Sequence, residues 1–353
     1  MSAGITQLLS IGRQDTYITG DPTVSFFRSV YNKHTNFAHG VYRQVIQGIP
    51  AAGAMSLVRF DRKGDMLGYV YFTKQASGTS STVDSWNGDE IDYVELLVGG
   101  TVIDRQDSNF SMNIAEIIMS STQNRTTHTS DKFYRLHFYF CESWASAFPL
   151  VAMQFSDLEI RIKWKNPGTD IYECWCQYIS LDNDERAYLS SEKRKEFLFY
   201  QVQTQPITNG SSVQNLVFNQ PVKFVATTGD LLTSATNTAR IKLQLNGVDV
   251  GEDRPYAPHF TDVPNYYHVP NNNSFSGFLL PFCLETNKFQ PTGSLNWSRL
   301  DSARLVCTNG ETFKSTAPTG SGSGYNAGSD TLYAVNYNVL IIENGQGGAM
   351  YAN

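Results

Sequence analysis

Charge is what this sequence has least of. Only 17% of its 353 residues are Asp, Glu, Lys or Arg, against about 25% in an ordinary soluble domain. The balance is acidic, 27 Lys and Arg against 33 Asp and Glu for a net charge of -6. That is the reverse of the basic footprint of a nucleic-acid binder, so direct nucleic-acid binding is not expected. Cysteine is sparse, and Cys141, Cys174, Cys176, Cys283 and Cys307 are odd in number and irregular in spacing. This excludes a secreted disulfide framework and suits free thiols in a reducing compartment. Long apolar runs are missing too. The longest, around Trp144 to Phe155, contains Pro149 and falls far short of the ~20 residues of a membrane span. The opening MSAGITQLLSIGRQD has neither the basic region nor the apolar run of a signal peptide, so synthesis in the cytosol is expected.

Local catalytic and metal signatures are equally scarce. The six histidines include no His-x-His pair and no His-Glu-x-x-His, and Cys174-Trp175-Cys176 has no second pair to complete four ligands, so no metal site and no cofactor are expected. On a strand, alternate positions place both of these thiols on one face, where a buried core role suffices. There is no Gly-x-Ser-x-Gly elbow and no Gly-x-x-x-x-Gly-Lys loop, and Gly320 to Gly324 lies in a Ser/Gly/Thr-rich stretch without a strand-to-helix context. No catalytic residue is assigned, and the chain is read as a non-enzyme.

What the sequence does have is two-fold periodicity. Leu158, Ile160, Ile162 and Trp164 alternate with Glu159, Arg161, Lys163 and Lys165, the pattern of a strand with one wet face. Ile241 to Asn246 repeats it, and Val335 to Ile341 does so with a less polar opposite face. Further strands are expected at residues 41–47, 55–61, 67–73, 91–98, 133–141, 171–180, 197–203 and 275–282. Three helices interrupt them. One runs from Pro22 to Lys33, with Asp21 as cap and Val24, Phe27, Val30 and Tyr31 on one face. A second spans Phe110 to Met119, and a third, charged one spans Asp182 to Glu196.

The two halves resemble each other. Ile91 to Gly100 followed by Thr101 to Asp104 has the form of Ile241 to Gly247 followed by Val248 to Val250. Phe140-Cys141 and Phe282-Cys283 are separated by 142 residues, as are Gln154-Phe-Ser-Asp-Leu158 and Asn296-Trp-Ser-Arg-Leu300. A period that long means two copies of a whole domain. The fold class expected is all-β, two tandem eight-stranded antiparallel jelly rolls with a short amino-terminal helix and a few helical insertions. The expected divisions are an arm at 1–38, a first jelly roll at 39–189 and a second at 190–353.

The run Gln14-Asp-Thr-Tyr17-Ile-Thr-Gly20-Asp-Pro22-Thr-Val-Ser-Phe26-Phe27-Arg-Ser-Val30-Tyr31-Asn-Lys-His-Thr35-Asn36-Phe37-Ala38 closely resembles the opening of the major capsid proteins of nucleocytoplasmic large DNA viruses. Val98 to Asp104, Leu181 to Arg186, Gly293 to Asp301 and Tyr333 to Tyr351 resemble the family's later segments in the same order. The resemblance implies a double jelly-roll homotrimer forming pseudo-hexagonal capsomers in an icosahedral virion shell above an internal membrane. It also implies minor capsid and penton proteins as partners and synthesis in the host cytoplasm. By position, Tyr17, Phe26, Phe27, Tyr31, Thr35, Asn36 and Phe37 are candidate interaction residues of the arm. Gln290-Pro291 and Trp297 depart from the family pattern, and the chain is short, so the outer loops should be reduced. The alternatives are a minor, paralogous shell protein and, more remotely, a carbohydrate-binding jelly-roll module using Trp86 or Trp144 as a stacking platform.

Overall fold

A computed structural model describes residues 3–26, 31–76, 83–86, 88–119, 132–191, 193–233, 238–269, 275, 277–316 and 330–351. The chain divides into two compact units, Met1–Asn36 and Phe37–Asn353.

The first unit holds two short helices, α1 (Ala3–Leu9) and α2 (Thr16–Thr19). Asp15 sets the second: its Oδ2 accepts from Gly12 N–H and its carbonyl from the Thr19 hydroxyl. Of the helix expected at Pro22 to Lys33, the described residues 22–26 and 31–33 are irregular, and 27–30 lie outside the described residues. Asp21 has a φ of 47°, whereas a capping residue is extended. Val24, Phe26 and Tyr31 are 89%, 93% and 83% exposed, so no packing stabilises an amphipathic helix too short to persist alone.

The second unit opens with β1 (Phe37–Gln44), β2 (Ile46–Gln47), β3 (Met55–Arg59), β4 (Met66–Gln75), β5 (Ile91–Val98), β6 (Thr101–Asp107), β7 (Tyr134–Arg135), β8 (Leu158–Trp164) and β9 (Ile171–Leu181). They form two antiparallel sheets, ordered β1-β9-β4-β7 and β2-β3-β8-β5-β6. The pattern then recurs with β10 (Lys195–Pro206), β11 (Val213–Asn215), β12 (Pro221–Thr228), β13 (Arg240–Leu245), β14 (Val248–Pro255), β15 (Gly277–Pro281), β16 (Leu295–Asn296), β17 (Ala303–Thr308), β18 (Thr331–Glu343) and β19 (Gln346–Ala349). Their main paths are β10-β18-β12-β15 and β11-β17-β13-β14, with β16 beside β12 and β19 beside β18. Setting aside β2, β16 and β19, eight strands of each set take the same places in the same chain order, and the fold is a double jelly roll. The duplicated segments fall on equivalent places. The β5–β6 hairpin turns on Gly99 and Gly100, both at positive φ, and the β13–β14 hairpin on Asn246 and Gly247, also both positive, as a two-residue hairpin loop requires.

Local sequence explains most elements. Leu158 to Trp164 alternates buried and half-buried without exception, as its periodicity demanded. Phe110–Met119 is helical, wound as a π-helix, and it connects β6 to β7; α5 (Tyr256–His259) and α6 (Asp262–His268) make the equivalent β14–β15 connection. The strand expected at 133–141 shrinks to Tyr134–Arg135, after which Leu136 to Phe140 are all buried and α3 (Tyr139–Glu142) turns the chain. The charged helix is shorter than expected: α4 (Asn183–Ser190) is capped by Asp182, but Lys195 and Glu196 already pair with Ile342 and Ile341 in β10.

Two apolar cores result. One fills the second jelly roll around Val225, Ile241, Phe278 and Leu305. The other fills the first jelly roll around Val94, Leu96, Ile160 and Phe148 and continues into Phe199, Phe224, Leu279 and Val335 of the second. On β18, Leu332 and Ala334 belong to one core, and Tyr333, Val335 and Tyr337 to the other. The sheet containing β12 and β18 is therefore buried on both faces, and it joins the lobes.

Candidate functional site: the lobe junction and exposed surfaces

The best-built polar constellation lies where the lobes meet. Strand β6 supplies two carboxyls. Asp104 accepts from Val202 N–H on β10 at 2.9 Å and from Gln106 Nε2 at 2.8 Å; Asp107 accepts from the Tyr333 hydroxyl on β18 at 2.7 Å and from Phe110 N–H at 2.7 Å. Asn109 adds bonds to Thr228 and Tyr333, Tyr200 donates to the His137 carbonyl, and Thr286 donates to the Ile118 carbonyl. Burial pushes Asp104 up to about 7 and Asp107 up to about 6, against the lowering effect of their hydrogen bonds. Desolvation outweighs donor count here, because among the described residues no cation is paired with either group to offset the loss of water.

These groups tie the two lobes to each other. Among the described residues no three His, Cys, Asp or Glu could together hold a metal ion. Cys174 and Cys176 share a fully buried face of β9 as free thiols. Trp86 is 4% exposed and packs between Tyr134 and Tyr172, so it offers no platform for a sugar ring; Trp144 is 87% exposed.

The arm residues named from sequence occupy different settings. Tyr17 lies on α2 and is 97% exposed; Phe26, Tyr31, Thr35 and Asn36 lie in irregular chain, all exposed; Phe27 lies outside the described residues. Phe37 begins β1 opposite Leu181, in the second unit, with its ring 6.3 Å from that of His39. The second unit has exposed apolar side chains of its own, among them Val45, Ile49, Phe155, Val217, Tyr266 and Leu284, each more than 70% exposed. Singly such residues are ordinary. Sequence reasoning missed Asp104, Asp107 and Asn109 as junction residues. The available signal was two acids embedded in a strand that an apolar helix follows directly.

Two jelly rolls fastened by a shared core define the double jelly-roll class. Family comparison narrows this. Residues 25–184 match the model of the major capsid protein N-terminus, and residues 191–348 match the large eukaryotic DNA virus major capsid protein. The chain belongs to the major capsid protein family of large eukaryotic DNA viruses. It is 27% identical over 412 residues to the major capsid protein of Pyramimonas orientalis virus and 27% identical over 439 residues to that of Paramecium bursaria Chlorella virus 1, in both cases covering 100% of each chain. Alignments that long against 353 residues mean that both relatives carry insertions. Among solved structures, PBCV-1 VP54 superposes with a TM-score of 0.74 at 22% identity, covering 93% of this chain and 100% of that one.

Proposed function

We propose that the chain is the principal shell protein of an icosahedral virion, three copies forming a pseudo-hexagonal capsomer. The observation that carries this is the recurrence of one strand order in both lobes. Three chains with two similar lobes each give six similar corners under three-fold symmetry, and closure needs complementary patches on opposite flanks of one chain. The low charge supports permanent burial of those flanks, since obligate interfaces are more apolar than transient ones.

In this reading residues 1–38 form an arm whose last two residues, Phe37 and Ala38, already pair in β1, with 39–189 the first lobe and 190–353 the second; the separation of strands β1–β9 from β10–β19 supports the division between the lobes. Tyr17, Phe26, Phe27, Tyr31, Thr35, Asn36 and Phe37 are contacts made by the arm when capsomers tile, and large exposed aromatics such as Phe26 and Tyr31 suit that role. The partners are further copies, then minor capsid and penton proteins, with an internal membrane nearby and no direct contact with nucleic acid. The chain is made in the host cytoplasm and performs no catalysis. Electron microscopy of the purified protein tests the reading: hexagonal outlines built from six lobes support it, and isolated two-lobed particles at every concentration would return the chain to a minor shell role.

A further inference from the structure

A cleft of about 480 Å³ opens at the junction, lined by Glu142 and Trp144 of the first lobe and by Tyr200, Lys223, Thr286 and Phe289 of the second, among others. Lys223 is 2% exposed, and its Nζ donates to the Lys288 carbonyl at 2.8 Å. An ammonium carries three N–H donors, and buried donors are ordinarily satisfied. Glu142 lies in the same cleft, but its Oε1 is engaged by His137 Nδ1 at 2.5 Å. A second buried polar group lies close by: the Tyr337 hydroxyl has no hydrogen-bond partner among the described residues, and its ring centroid is 6.0 Å from Lys223 Nζ.

We propose that this cleft binds a small organic anion, with its charged oxygen on Lys223 Nζ and its flat apolar body against Trp144 and Phe289. Burial lowers the Lys223 ammonium to about 8, with Cys283 and Glu142 acting in the opposite direction, so it is charged at neutral pH. The cleft has the size of an ordinary small-molecule site, and its lining sets aromatic side chains beside polar ones. Because both lobes line it, an occupant would bridge them and stabilise the folded chain by mass action. The site goes beyond a purely architectural role and does not depend on trimer formation.

Benzoate is the probe, and benzyl alcohol is its neutral counterpart of similar shape. Calorimetric titration of the full chain at constant ionic strength is expected to show benzoate binding and no comparable binding of benzyl alcohol. Lys223→Met should weaken benzoate roughly tenfold or more, the effect of losing a hydrogen bond to a charged group. Trp144→Ala, at an exposed residue, should keep the fold and weaken benzoate as well, which preserves the test if the Lys223 variant fails to fold. Equal binding of the two probes, equal binding by wild type and both variants, or no binding of benzoate by wild type would overturn the proposal.

Discussion

Asp104 Oδ1 accepts a hydrogen bond from the backbone N–H of Val202 at 2.9 Å, so a side chain of the first lobe holds the main chain of the second. Burial lifts this carboxyl to about 7 and its neighbour Asp107 to about 6, while an unfolded chain titrates its aspartates near 3.9. The folded chain therefore keeps protons that the unfolded chain has lost between about pH 4 and pH 7, and stability falls as pH rises through that window. Asp104→Asn should make the fall shallower by up to about 1.4 kcal/mol per pH unit. Urea unfolding at about pH 5 and about pH 7 reads this directly, and an unchanged difference between wild type and variant would count against it.

Lys74 and Glu90 form a buried ion pair at 2.7 Å, with side chains 4% and 5% exposed, and Asp170 lies 3.7 Å from the same ammonium. Lys74→Met removes the cation and leaves carboxylates in a poorly solvated place, an expected loss of about 3–5 kcal/mol. The double change Lys74→Met with Glu90→Leu should recover most of it, because the desolvation of both charges disappears together. Denaturant midpoints of the two variants check this, and a double variant as weak as the single one would contradict it.

The arm should behave oppositely. Phe26 and Tyr31 are 93% and 83% exposed, so Phe26→Ser and Tyr31→Ser should change the stability of the isolated chain by no more than about 0.5 kcal/mol. If these residues make shell contacts, the same variants should lower the yield of assembled particles. Calorimetry beside particle counts separates the two effects, and normal assembly by both variants would remove these residues from the contact set.

How much was legible in the sequence follows from how many faces of each element meet water. Strand β8 was readable because its alternate residues stay partly wet, and Phe110–Met119 because of its apolar stripe. Strand β12 was not, since Val222 and Val225 feed one core while Phe224 and Ala226 feed the other, leaving no polar alternation. The junction escaped because it is non-local: Asp104 and Val202 are 98 residues apart, and only the packing of one lobe on the other brings them together. In the arm the apolar spacing was genuine, but over the described residues 22–26 and 31–33 it made no helix, since spacing sets a helix only where something covers the apolar face.

The most direct test of the shell assignment is the solution mass of the purified chain, by light scattering after size exclusion. With 39.4 kDa per chain, a three-fold assembly gives about 118 kDa. We expect that mass to persist on dilution; a folded protein that stays at the mass of one chain at every concentration would contradict the capsomer.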